Sequence, residues 1–465
     1  MPVMGKKDEI EEVEVNEKPI EIEELPDKKS PVKKEEEQPK LPIKDIVTGK
    51  FGNKAVESLG NEFIVYNAGD ITFETGIIHN NIFYVPRQQA PYEPYTRPEK
   101  LTKPDVQKLY QEIYQVFDDF VDVKEDYKHL MTIAVFFTYQ QHKSHTTPYL
   151  YLVGEKDSGK SRVLEILEYL AYRPLLATSI SAPNVIQYLE DGPVGIVLDD
   201  EVADSIKYDP DKRSVYKSGY RASGKVPKII TDRDGRRKQI YFNAYSFKAF
   251  GSKYLVDDDQ IISRCIVIVM IQGKPKYGGF LLNVDLPRFQ KIRNKLLLWR
   301  LHTYLEDYMP ERPMTRIDEL FLPLLKTAKF IENEEAYNAI VRIRDQDKIE
   351  REEEIRSTLE AKITITLVKL NQEKKDLTFS SQEIFNTLCT VVNGTIEEKK
   401  IISSEFGEIS MTLLSRRLKD IFKSKSKQQM YDGNYIKCHT FDKDTLEKAI
   451  KVYHIKTEDL KIDVR

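Results

Sequence analysis

Residues 149–161 read YLYLVGEKDSGKS. A strand apolar on both faces runs into Gly154-Glu155-Lys156-Asp157-Ser158-Gly159-Lys160-Ser161, a complete GxxxxGK[ST] pattern. The glycines let the backbone turn tightly, so that successive N–H groups converge on phosphate oxygens. Lys160 has the length and charge to reach the β and γ phosphates of a nucleotide, and the Ser161 hydroxyl suits magnesium. After the loop, Val163, Leu164, Ile166, Leu167 and Leu170 recur at helical spacing. Strand, loop and helix therefore follow in the order that phosphate binding requires.

Downstream, Val194-Gly195-Ile196-Val197-Leu198-Asp199-Asp200-Glu201 is a second apolar run, and it ends in acids. Ligands of α/β folds bind outside the carboxyl ends of the strands, so these carboxylates are expected to face the loop. One Asp would hold magnesium and a neighbouring Glu would polarise the attacking water. Both Asp199 and Asp200 fit the metal position. The preferred register gives Asp200 the metal and makes Glu201 the base.

Around these two motifs, PLLA (174–177), NVIQYLE (184–190), KAF (248–250) and IVIVMI (266–271) continue an alternation of buried strands and amphipathic stretches. The pattern predicts a parallel α/β sheet, here a P-loop ATPase core over 101–283. Residues 284–372 have helical period throughout and form a predicted helical lid and connector. Their heavily charged end, 345–375, reads as a solvated helix. Residues 61–85 alternate β-branched and aromatic residues between turn signals and predict a small β-meander. The proline-rich stretch 86–104 reads as a linker, so that 41–100 is a β-rich segment with its linker.

The 465 residues carry 72 Lys plus Arg and 75 Asp plus Glu, a net charge of -3. That balance hides an asymmetry. Residues 1–40 hold 8 Lys and 13 acids, a net of -5, and no aromatic, leaving 41–465 at +2. Such a segment cannot bury enough apolar area to offset its ordering entropy, and a disordered acidic tail is expected. The apolar runs Met131–Phe137 and Cys265–Ile271 are shorter than the ~18–20 residues of a membrane span. The N-terminus has no signal-like apolar region. Three separated cysteines exclude a disulfide framework. An intracellular, cytoplasmic protein without a membrane partner is expected. His142 and His145 lack further ligands at metal spacing and read as surface residues.

Five segments stand in a recognisable order: TPYLYLVGEKDSGKSRVLEIL (147–167), GIVLDDEVAD (195–204), VYKSGYRASGKVPKI (215–229), FKAFGSKYL (247–255) and ISRCIVIVM (262–270). This order resembles the ATPase module of plasmid- and virus-encoded primase-helicases and, more distantly, the AAA+ core of minichromosome maintenance helicases. The resemblance implies ATP and magnesium as cofactors and a ring-shaped homo-oligomer, for instance a hexamer. It also implies Arg264 as a finger reaching the neighbouring subunit's nucleotide, and Ser252 as the sensor of the γ-phosphate, with Asn243 a weaker candidate. No primase signature is present, so a separate primase or replication protein is the implied partner.

Asp232-Arg233-Asp234-Gly235 is a hairpin turn between two β-like arms within 226–242, crowded by Arg233, Arg236, Arg237 and Lys238. In the resembled helicases such a hairpin grips the nucleic-acid backbone, a task for which clustered charge is suited. Residues 373–465 read as a winged-helix domain. Ser380 to Glu383 starts one helix. A second follows Ser410, with Arg416, Arg417, Lys419 and Lys423 on its outer face and exit. A hairpin turns at Asp432-Gly433, and a last helix closes the order. The expected activity is an ATP-dependent helicase or translocase on single-stranded or forked DNA in plasmid or viral replication. Two alternatives are a DNA-binding initiator that uses ATP only as an assembly switch, and a winged-helix binding protein with a degenerate nucleotide fold.

Overall fold

The computed structural model describes residues 41–88, 92–177, 180–191, 195–231, 234–307, 311–431, 434–456 and 459. The expected acidic tail 1–40, Arg233 and the Asp432-Gly433 turn lie outside the described residues. Among the described residues, no helix is long and apolar enough to cross a membrane.

Seven strands open the chain: Ile43–Ile46 (β1), Thr48–Phe51 (β2), Lys54–Ser58 (β3), Phe63–Asn67 (β4), Asp70–Glu74 (β5), Ile77–His79 (β6) and Ile82–Pro86 (β7). They form two small sheets, ordered β1-β7-β6 and β2-β3-β4-β5. The meander expected over 61–85 thus covers β4 to β7, while β1 to β3 carry no clear alternation in sequence. One face of β3 docks on the rest of the fold. Glu57 is fully buried there and accepts hydrogen bonds from Tyr172 Oη at 2.8 and 3.0 Å, with Arg300 Nε 3.8 Å away. The proline-rich stretch is no free linker, because Tyr92 and Tyr95 are buried in the same core.

Helices Val106–Phe120 (α1) and Glu125–Gln140 (α2) precede the central sheet. Its strands are Tyr149–Val153 (β8), Pro174–Ala177 (β9), Ile196–Asp200 (β10), Lys248–Ser252 (β13) and Cys265–Val269 (β14). All are parallel, in the order β14-β8-β13-β10-β9. The chain leaves β8 for the far edge, returns through β10 and β13, and crosses to β14. A crevice therefore opens at the carboxyl end of β8. Helices Lys160–Leu170 (α3), Ala182–Asp191 (α4), Val202–Lys207 (α5), Pro210–Ser218 (α6) and Asp259–Ile262 (α7) flank the sheet. Between α6 and β13 a hairpin of Lys225–Thr231 (β11) and Arg237–Asn243 (β12) stands apart as its own two-stranded sheet.

Helices Asp285–His302 (α8), Arg316–Phe330 (α9), Glu334–Ser357 (α10) and Leu359–Lys374 (α11) follow. The solvated connector expected over 345–375 is instead divided at Thr358, whose side chain caps α11. Although α11 is charged at its ends, Ile363, Leu367 and Leu370 enter the C-terminal core. Charge density misled here because the acids and lysines flank an apolar centre, ITITLVKL. The remaining elements are Thr378–Ser380 (β15), Ser381–Val391 (α12), Thr395–Glu397 (β16), Lys400–Ser403 (β17), Gly407–Ser410 (β18), Met411–Asp420 (α13), Lys425–Tyr431 (β19), Asn434–Thr440 (β20) and Lys443–Val452 (α14). A small sheet, β16-β17-β18, lies between α12 and α13. His145 is exposed, as expected, but His142 is only half-exposed. It stacks on Tyr304 at 4.7 Å, and burial holds its pKa down to about 2.

Candidate functional site

The loop 154–159 runs from β8 to α3 at the crevice. A Cβ on Gly154 would lie 2.2 Å from the Met270 carbonyl oxygen, so only glycine fits there. Gly159, at φ +91°, caps α3 with no side-chain hydrogen bond, which leaves the N–H groups of the first turn open toward the cavity. Lys160 is buried, and its ammonium donates to the Gly154 and Glu155 carbonyls, both at 2.8 Å. The cavity measures about 810 Å³ and takes in the loop, Glu201, Ser252, Lys253 and a wall from Phe120 to Asp122.

Successive residues of β10 point to opposite faces of the sheet, and this separates the two aspartates. Asp199 is turned into the core, where Lys212 Nζ and Tyr216 Oη each lie 2.7 Å from its carboxylate. The Asp199 carboxylate is therefore held within the core and not toward the loop. Asp200 faces the loop, and its Oδ2 accepts a hydrogen bond from Ser161 Oγ at 2.7 Å. Gly251 on β13 makes room for it, since a Cβ there would meet Asp200 Oδ1 at 2.6 Å. Glu201 follows in a left-handed conformation, φ +66°, exposed at the cavity. A left-handed non-glycine residue is strained, which is a common feature of functional turns. Hydroxyl, carboxylate and exposed Glu form an oxygen donor set that fits magnesium.

Ser252 lines the cavity but is 1% exposed. Its hydroxyl donates to the Tyr254 carbonyl and lies 3.1 Å from Tyr151 Oη. The next residue, Lys253, reaches the loop instead, with its ammonium 2.9 Å from the Glu155 carboxylate. Nothing in the sequence distinguished Lys253, because its approach to the loop depends on the end of β13 lying beside β8. Asn243 sits at the foot of the hairpin, where its Oδ1 accepts from the Tyr245 N–H at 3.0 Å, and it does not line the cavity.

Arg264 stands at the opposite end of the sheet from the loop. It precedes β14, whose Cys265 pairs with Tyr149 while Val269 pairs with Val153. Its guanidinium packs 5.8 Å from the Tyr220 ring, which Arg316 approaches at 4.3 Å. Among the described residues no contact links Arg264 to the loop 154–161, so any role at a nucleotide would need a second subunit.

The hairpin carries Arg236, Arg237 and Lys238 exposed at its tip, with Gly235 at φ +77° in the turn. At its root, the buried Lys248 ammonium donates to the Ala244 and Ser246 carbonyls at 3.3 and 3.1 Å, and the Tyr149 ring lies 4.8 Å away. Lys248 begins β13, and Ser252 ends it. One five-residue strand thus connects the hairpin root to the cavity at the loop. In the C-terminal module, Leu414 and Leu418 bury one face of α13, and Arg416, Lys419 and Lys423 are exposed. Arg417 is partly engaged, 2.9 Å from Glu360 on α11.

No protein family model matches the chain, and no curated protein matches it. The solved structures that the chain resembles include the following three. The A form apo structure of the NrS-1 C-terminal region is 10% identical, with 84% of this chain and 97% of that chain covered at TM-score 0.36. A structure described as SCCmec type IV Cch, active helicase, is 11% identical over 89% and 81% at 0.40. A full-length MCM homolog from Methanopyrus kandleri is 14% identical over 64% and 74% at 0.33. At these values, the reading of function rests on the geometry of the site.

Proposed function

We propose that this protein is an ATP-dependent motor that acts on DNA as a ring, a replicative helicase or translocase. The observation that carries the reading is the convergence of loop and acidic strand, with Ser161 hydrogen-bonded to Asp200 at 2.7 Å. The open N–H groups of α3 and the Lys160 ammonium would hold the triphosphate. Lys160 would exchange its bonds to loop carbonyls for phosphate oxygens. Ser161 and Asp200 would hold magnesium, which neutralises charge on the phosphates. Glu201 would orient the attacking water and accept its proton.

In a ring, Arg264 would meet the neighbour's nucleotide, and β13 would carry changes at the cavity to the hairpin through Lys248. The C-terminal module supports a DNA-facing role. Its order α11, β15, α12, β16 to β18, α13, β19, β20, with one sheet ordered β15-β20-β19, is compatible with a winged helix that carries an extra small sheet between α12 and α13, and α13 would then take the recognition position.

The test is strand separation. Purified protein with ATP and magnesium should unwind a forked duplex, and the Lys160→Ala variant should not. ATP hydrolysis that responds to DNA without any unwinding would overturn the motor and leave a switch-type initiator. Mixed rings of Lys160→Ala and Arg264→Ala chains test the shared site, because the two variants together should recover turnover that neither has alone.

A further inference from the structure

Away from the nucleotide cavity, α2 and α10 meet at three residues of another character. Glu125 and His129 lie four residues apart on α2 and so share one face of the helix. Glu335, in the first turn of α10, comes up from the other side. One ligand atom from each, His129 Nε2 or Nδ1 and a carboxylate oxygen of either Glu, falls within 4.8 Å of the others.

We propose that Glu125, His129 and Glu335 form a binding site for a divalent ion of the zinc class, which clamps α2 to α10. The imidazole carries the argument. His129 is 4% exposed, and the Tyr110 hydroxyl occupies its Nδ1 at 2.5 Å. Nε2 is therefore the nitrogen turned to the carboxylates. It lies 3.8 Å from Glu335 Oε1, too far for a hydrogen bond, and no hydrogen bond to it is made among the described residues. A buried imidazole with one nitrogen anchored by an outer hydroxyl and the other aimed at two carboxylates is the arrangement of a metal-ligating histidine.

Zinc bonds of about 2.0–2.2 Å place ligand atoms roughly 3.4 Å apart, a contraction that rotation of two exposed Glu side chains supplies. One imidazole and two carboxylates leave a position for water and favour zinc over calcium or magnesium, which take oxygen ligands. The charge agrees as well. Asp126 is neutralised by Arg342 at 2.6 Å, which leaves the two Glu carboxylates to balance a dication. The Tyr114 ring, 4.7 Å from His129, closes one side.

The experiment is a zinc titration of the full-length, metal-free and nucleotide-free chain, read by competition with a chromogenic chelator and by melting temperature. It is run on the native sequence and on Asp200→Asn, so that an ion at the phosphate cavity is counted separately. One zinc per chain is expected in Asp200→Asn, with Kd in the micromolar range or tighter (on the order of 1 μM) and a Tm higher by a few degrees, while magnesium at the same concentration leaves the Tm of that variant unchanged. The double variant Glu125→Gln, Glu335→Gln alters only exposed positions and should weaken zinc at least about tenfold. His129→Gln should do the same. Equal zinc affinity in the native chain and the double Gln variant, or no stoichiometric zinc at about 100 μM, overturns the proposal.

Discussion

Ser161 and Asp200 are 39 positions apart in sequence, and the Ser161 hydroxyl donates to the Asp200 carboxylate over 2.7 Å. The strand between them in space, β13, contributes Gly251, whose missing side chain lets the carboxylate lie against it. Three separate segments therefore fix one bond.

That geometry divides the two acids by role. Asp200→Asn should abolish magnesium-dependent nucleotide retention and turnover together. Glu201→Gln should keep nucleotide binding and lower turnover by about 100-fold or more, the usual contribution of a general base. Nucleotide affinity by fluorescence, set beside phosphate release, separates the two.

Lys253 is expected to act on the phosphates in place of Ser252. Lys253→Ala should lower turnover by about tenfold or more, on the scale of a lost charged contact. Ser252→Ala should have a smaller effect on turnover and a larger one on stability, since its hydroxyl is bound within the fold. Equal turnover losses in the two variants would count against this assignment.

The charge clusters should separate by salt dependence. Replacing Arg237 and Lys238 with Ala should weaken single-stranded DNA and flatten the slope of log K against log salt by about 1–2. Replacing Arg416 and Lys419 should do so on duplex DNA, with the single-strand affinity kept. Fluorescence anisotropy across a salt series reads both.

Burial holds the Lys248 ammonium down to about 7, against an ordinary 10.5. Between those values the unfolded chain binds a proton that the folded chain releases, so the lysine's destabilising effect shrinks as pH rises from about 7 to 10.5. Below about 7 the effect is at its full size. Lys248→Met should therefore raise Tm at pH 7, and its advantage over the native chain should narrow toward pH 10. Melting curves over that range measure it.

The loop, the acidic strand, the hairpin arms and the alternation of buried strands with helices were legible in the residues, because each is a local pattern of glycine placement, apolar run length or turn chemistry, whereas the order of the strands in the sheet was not. The choice between Asp199 and Asp200 was not. Both follow the same apolar run, and only the packing of α6, which brings Lys212 and Tyr216 to one face of β10, engages Asp199 within the core and leaves Asp200 on the loop side. The burial of α11 was hidden by the charges at its ends.

The sequence by itself determined that a glycine-rich GxxxxGK[ST] loop enters a parallel α/β core with a basic hairpin and a basic helix beyond it. Those features are written in short segments whose physics is local. Tertiary structure alone decided which carboxylate meets Ser161, that Lys253 reaches the loop, that Arg264 lies at the far end of the sheet, and that Glu335 meets His129. Each depends on which strands or helices become neighbours, and adjacency in space follows from burying the whole chain's apolar surface at once.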